Sequence, residues 1–106
     1  MKKIYNEKGE WYMLNQVVIV GRISHITDSK ITIAVPRSYK NEEGVYDTDF
    51  IPVKIKGGIA DNVSTYCKKG DVIGIKGRLE TDHGKLLLLA EKVSFLSSGK
   101  HEAEEE

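Results

Sequence analysis

Phe50, Lys54 and Lys56 occupy alternate positions in a stretch where Ile51, Val53 and Ile55 fill the places between them. Alternation of period two marks a half-buried strand. The aliphatic set is therefore expected inside, and the aromatic and cationic set outside. An exposed π-face can stack a flat heteroaromatic ring, and an ammonium group can neutralise a phosphate. The same logic applies from Val72 to Glu80, where Ile73, Ile75 and Leu79 are expected inside with Lys76 and Arg78 outside. Arg37, Tyr39 and Lys40 flank the mouth of a polar loop, Asn41-Glu42-Glu43-Gly44. These eight residues are the candidate binding face for a polymer of rings and phosphates. The competing roles are structural: a core aromatic at a strand start for Phe50, a turn-packing residue for Tyr39, and a solvated strand face for the lysines.

Catalytic chemistry finds little support. There is no glycine-rich phosphate loop, no metal-ligand cluster and no nucleophile–base pair at a recognisable spacing. His25 with Asp28, and His83 with Asp82, lie near turns where nothing fixes them on one rigid element, so no metal is expected there. Cys67 is the single cysteine, which excludes an intramolecular disulfide, and it reads as a small buried apolar residue. The chain is expected to be a binding protein that needs no cofactor and acts on no small-molecule substrate.

The 106 residues fit one domain. No run of 18 apolar residues exists to span a membrane. The start, Met1 to Lys8, is charged and does not read as a secretory signal. A cytoplasmic, nucleoid-associated location is expected. The 16 basic and 16 acidic residues cancel, but unevenly: Glu102, Glu104, Glu105 and Glu106 crowd the last five positions, leaving residues 1–101 with a net charge of +4. A mildly basic body with an acidic tail suits a phosphate-binding protein, and it equally suits an ordinary surface with a solubilising tail.

The elements that must position these side chains follow from pattern. Residues 1–12 read as an extension, 13–96 as the domain and 97–106 as a disordered acidic tail. From Leu14 to Ile26 apolar residues occur at both parities, as in a strand covered on both faces, with Gly21 as a bend point. One barrel core covers one face. Either Val18 and Val20 or Val17 and Ile19 are therefore expected to pack on a second copy, giving a dimer or a tetramer. A second strand, Ile31 to Val35, is expected to stop or reach an edge at Pro36. The third runs from Phe50 to Lys56. Ile59, Val63, Tyr66 and Cys67 then form one stripe of a short helix, with Lys68 and Lys69 in its last turn and Gly70 as its stop. Asp82-His83-Gly84 reads as a tight hairpin joining the fourth strand to a fifth, Lys85 to Phe95. The result is an all-β chain: a five-stranded oligonucleotide/oligosaccharide-binding (OB) barrel with one short helix between strands 3 and 4.

Two segments resemble the bacterial and phage single-stranded DNA-binding protein family. Met13-Leu14-Asn15-Gln16-Val17-Val18-Ile19-Val20-Gly21-Arg22-Ile23 is similar to that family's opening strand. Gly58 to Asp71, continuing to Gly77-Arg78-Leu79-Glu80-Thr81, is similar to its helix and fourth strand, including the Lys68-Lys69-Gly70 exit. The resemblance implies sequence-tolerant binding of single-stranded DNA in replication, recombination or repair, by an assembly that is usually a homotetramer. It implies stacking roles for Tyr39 and Phe50. Lys56 and Gly84 stand where further aromatics are usual, so weaker binding is expected. The tail lacks the apolar tip with which the family recruits other proteins. A protein-interaction OB module and an RNA-binding module are the alternatives.

Overall fold

A computed structural model describes residues 7–9 and 14–99. The rest of the N-terminal extension and the acidic residues Glu102 to Glu106 lie outside the described residues. The elements run β1 (Val17–Ile26), β2 (Lys30–Lys40), β3 (Tyr46–Lys54), α1 (Gly57–Tyr66), β4 (Val72–Asp82) and β5 (Lys85–Ser97). The strands close into a barrel in the order β1-β2-β3-β5-β4. All neighbours are antiparallel except β3 and β5, whose parallel contact is short: Val53 opposite Leu88 and Lys54 opposite Leu89. This is the expected five-stranded barrel with one helix between its third and fourth strands.

The core is made of the side chains that alternation sends inward. Ile23, Ile31, Ile33, Val53, Ile55, Ile73 and Ile75 are almost wholly buried. β-branched residues dominate because they pack well on a pleated, half-covered surface. Each fully buried aliphatic side chain contributes about 1.5–3 kcal/mol relative to exposure. On β1, Val17 and Ile19 pack against this core, while Val18 and Val20 are exposed. Of the two candidate sets, Val18 and Val20 are the outward one, and Val17 and Ile19 belong to the barrel itself.

β1 changes partner along its length. Val17 to Arg22 pair with β4, and Arg22 to Ile26 pair with β2. Gly21 lies at that transfer. A Cβ there would come within 2.8 Å of the Ala34 carbonyl oxygen, so the close approach of β2 requires glycine. The two-residue turn between β4 and β5 places His83 at φ 52° and Gly84 at φ 81°. Left-handed backbone at both central positions matches the twist of the flanking strands.

Several boundaries depart from the sequence reading. β2 continues through Pro36 to Lys40, with Pro36 opposite Thr48. Pairing with β1 ends at Ala34, so beyond it β2 has a free edge, where a missing donor costs no ladder bond. β3 therefore begins at Tyr46, and β2 and β3 project together as a long hairpin. The helix ends at Tyr66, so Lys68 and Lys69 lie past its last turn. Gly70 stops no helix. It takes φ 97° in the following turn, where its N–H donates to the Ile23 carbonyl. Tyr66 is exposed and leaves the core stripe to Val63, Ile59 and Cys67. At the other end, β5 reaches Ser97. Gly99 stays docked, its N–H donating to Asp71 Oδ1 at 3.1 Å, so the folded body extends past residue 96.

Candidate nucleic-acid interface

On β3, alternation turns Ile51 and Val53 inward and leaves Phe50, Pro52 and Lys54 on the outer face. Phe50 is 62% exposed and is no core aromatic. Cross-strand register then assembles a row that no single strand reveals. Lys30 of β2 is opposite Lys54 of β3, Lys54 is opposite Leu89 of β5, and Leu89 is opposite Arg78 of β4. Leu89 lies outside the core cluster yet is only 4% exposed, so the outer side chains around it cover it. Farther along the same face, Lys76 is opposite Lys92. Like charges directly opposite each other across a ladder are destabilising. The barrel carries two such lysine pairs, Lys30/Lys54 and Lys76/Lys92, with no ion pair to a carboxylate among the described residues. A bound polyanion would relieve both. Lys56 follows at the N-terminal cap of α1, in extended backbone and exposed.

The two arginines differ from the lysines. Arg78 is held by Glu80 at 2.7 Å and by Glu91 at 2.9 Å. That hydrogen bonding from Arg78 holds the Glu80 carboxyl below its ordinary value, with smaller help from the charges of Lys56 and Lys54. Glu80 thus joins Arg78, Lys54 and Lys56 into one electrostatic group, at the cost of negative charge on that face. Arg37 makes a two-point contact with Asp49, Nε to Oδ2 at 3.0 Å and Nη2 to Oδ1 at 2.9 Å, with Asp47 at 3.8 Å. The pairing holds the Asp49 carboxyl low. Asp47 and Asp49 alternate with Tyr46, Thr48 and Phe50, so the Arg37 cluster occupies the face of the hairpin opposite Phe50.

The sequence-derived residues therefore separate. Lys54, Lys56 and Arg78 come together around Glu80, Phe50 lies about 13 Å along the same face of β3, and Lys76 continues along β4, opposite Val18 of β1. Tyr39 is 63% exposed on the hairpin arm and within electrostatic reach of Arg37. Lys40 lies opposite Tyr46, its Nζ 5.7 Å from the ring centroid. Lys30 and Lys92 were missed by the sequence reading, because parity within a strand does not give the register between strands.

The remaining chemistry is sparse. His83 lies 3.4 Å from Asp82 and is 93% exposed, and His25 contacts the Ser24 hydroxyl. Among the described residues no group of three His, Cys, Asp or Glu could hold a metal ion, and no helix is long and apolar enough to cross a membrane. Burial raises the Cys67 thiol pKa, which disfavours the reactive thiolate.

A closed five-stranded barrel with cross-strand lysine pairs and an exposed aromatic on its outer wall defines an OB-type binding module. Residues 14–85 match the model of the single-strand binding protein family, and the chain belongs to that family. The Bacillus subtilis single-stranded DNA-binding protein B is 34% identical over 79 residues, covering 65% of this chain and 70% of the relative. The Bacillus cereus single-stranded DNA-binding protein is 36% identical over 103 residues, covering 79% of this chain and 61% of the relative. This chain thus spans roughly two thirds of such relatives' lengths. Among solved structures, a small single-stranded DNA-binding protein from Mycoplasma pneumoniae superposes with a TM-score of 0.64 at 28% identity, covering 76% of this chain and 92% of that one.

Proposed function

We propose that this chain binds single-stranded DNA without sequence selection and without catalysis, serving replication, recombination or repair in the cytoplasm as part of a homo-oligomer. The observation that carries the reading is the outer face of β3 and its neighbours. There Phe50 shares the outer face of β3 with Lys54, whose cross-strand pair with Lys30 and link through Leu89 to Arg78 continue the cationic surface. Stacking on an aromatic face contributes about 1–3 kcal/mol per base and is indifferent to base identity. The lysines supply counterion release, which makes affinity fall with salt. Family membership points the same way, as do the names of the relatives.

Stacking requires unpaired bases, which a duplex withholds. Fluorescence titration with oligo-dT, oligo-rU and duplex DNA of equal length, at low and high salt, tests the proposal. Oligo-dT is expected to bind tighter than duplex at both salts. Equal or tighter binding of duplex would reject the stacking mechanism, and tighter binding of oligo-rU would make RNA the ligand.

A further inference from the structure

We propose that Tyr46, near the tip of the β2–β3 hairpin, is a further base-stacking residue, with Lys40 placed to meet the adjoining phosphate. The inference rests on the single-strand reading above and extends its path. Tyr46, Thr48 and Phe50 alternate along one face of β3. Four residues of strand put Tyr46 about 13 Å from Phe50. The strand's own carboxylates, Asp47 and Asp49, project to the opposite face, where Asn41 and Arg37 engage them.

An exposed tyrosine alone would carry no argument, because single exposed aromatics are common. Two further observations distinguish this one. First, the Lys40 Nζ lies 5.7 Å from the ring centroid, within the range of a cation–π contact. The ring is thereby oriented while it stays 52% exposed. Second, the tip that carries it is pre-ordered. Asn41 Oδ1 accepts hydrogen bonds from the N–H groups of Glu43 and Val45, and the Asn41 N–H donates to the Val45 carbonyl. A platform already held in place loses less freedom when a base stacks on it.

Photo-cross-linking of a 5-iodouracil-substituted oligo-dT to the unmodified protein, with the adduct mapped, tests the proposal directly. Tyr66 is the comparison: it is 71% exposed, more than Tyr46, and lies on α1 beside Lys92 of β5 and not on the hairpin. An adduct at Tyr46 is expected, although Tyr66 is the more exposed ring. An adduct at Tyr66 alone, or at neither tyrosine, overturns the proposal whatever the variants do. Tyr46→Ala should weaken oligo-dT binding about 5- to 150-fold with an unchanged salt slope, and Tyr46→Phe should bind like the parent. Lys40→Ala should flatten the slope by about 0.7. If Tyr46→Ala folds and binds like the parent while Phe50→Ala is weakened, the extension to Tyr46 fails and the single-strand reading stands. If neither variant is weakened, the single-strand reading itself fails.

Discussion

Lysine and arginine play different parts on this surface. The lysines at 30, 54, 76 and 92 pair across ladders with no ion pair to a carboxylate among the described residues, whereas Arg78 is shared between Glu80 and Glu91 and Arg37 is clamped by Asp49. A guanidinium forms a planar fork that matches a carboxylate at two points, while an ammonium on a flexible stem stays hydrated and mobile. The arginines thus fix local geometry and the lysines remain available to phosphate. Glu91→Gln removes one negative charge from the face and leaves Arg78 its contact with Glu80. Oligo-dT affinity at low salt should then rise roughly two- to fivefold, the scale of one exposed ion pair, and the gain should fade at high salt. Weaker binding by this variant would show that the phosphate path avoids Arg78.

The elements were legible in the sequence to the extent that each carried its own pattern. Ile31 to Val35 and Ile73 to Leu79 alternate, so their inward residues could be read, although Leu79 is 39% exposed on the barrel wall. His83-Gly84 announced its turn by residue type. Three features were not legible, because they depend on partners distant in sequence. Pro36 looked like a stop, but it lies where β1 has already left β2. The Lys30–Lys54 and Lys76–Lys92 pairs exist only once register is set. Asp71 lies in the family-like segment, but nothing local in sequence shows its role. It is nonetheless buried, with Oδ2 accepting from the Lys68 N–H at 2.8 Å and Oδ1 from the Gly99 N–H, so it clasps the turn before β4 to the end of β5. Asp71→Ala would strand both donors. A loss of about 1–3 kcal/mol in denaturant stability is expected, together with earlier hydrogen exchange at Lys68 and Gly99. An unchanged unfolding midpoint would mean the clasp contributes nothing.

At the scale of the molecule, one barrel leaves part of its apolar surface unused. Val18 is 73% exposed and Val20 is 52% exposed on the outer face of β1. Val20 and Leu96 flank Gly74, whose missing side chain flattens the wall between them. A flat aliphatic patch on the half of β1 that pairs with β4 alone suits a second copy of the chain across a two-fold axis. The protein should therefore scatter light as a dimer or tetramer at micromolar concentration, and Val18→Glu with Val20→Glu should shift it toward monomer without unfolding the barrel. A monomeric parent at that concentration would refute this arrangement. Lys76, opposite Val18, would then mark the rim between the interface and the binding face.

The central claim is that the β3 face holds a single strand by stacking and charge acting together. Measuring log affinity for oligo-dT against log salt separates the two most directly, using the parent, Phe50→Ala, and Lys30→Ala combined with Lys54→Ala, each checked for folding by circular dichroism. Phe50→Ala should displace the line by about 1–3 kcal/mol while keeping its slope. The double lysine variant should flatten the slope by about 0.7 for each phosphate it no longer neutralises. A folded Phe50→Ala protein that binds like the parent, or a parent whose affinity ignores salt, would contradict the account.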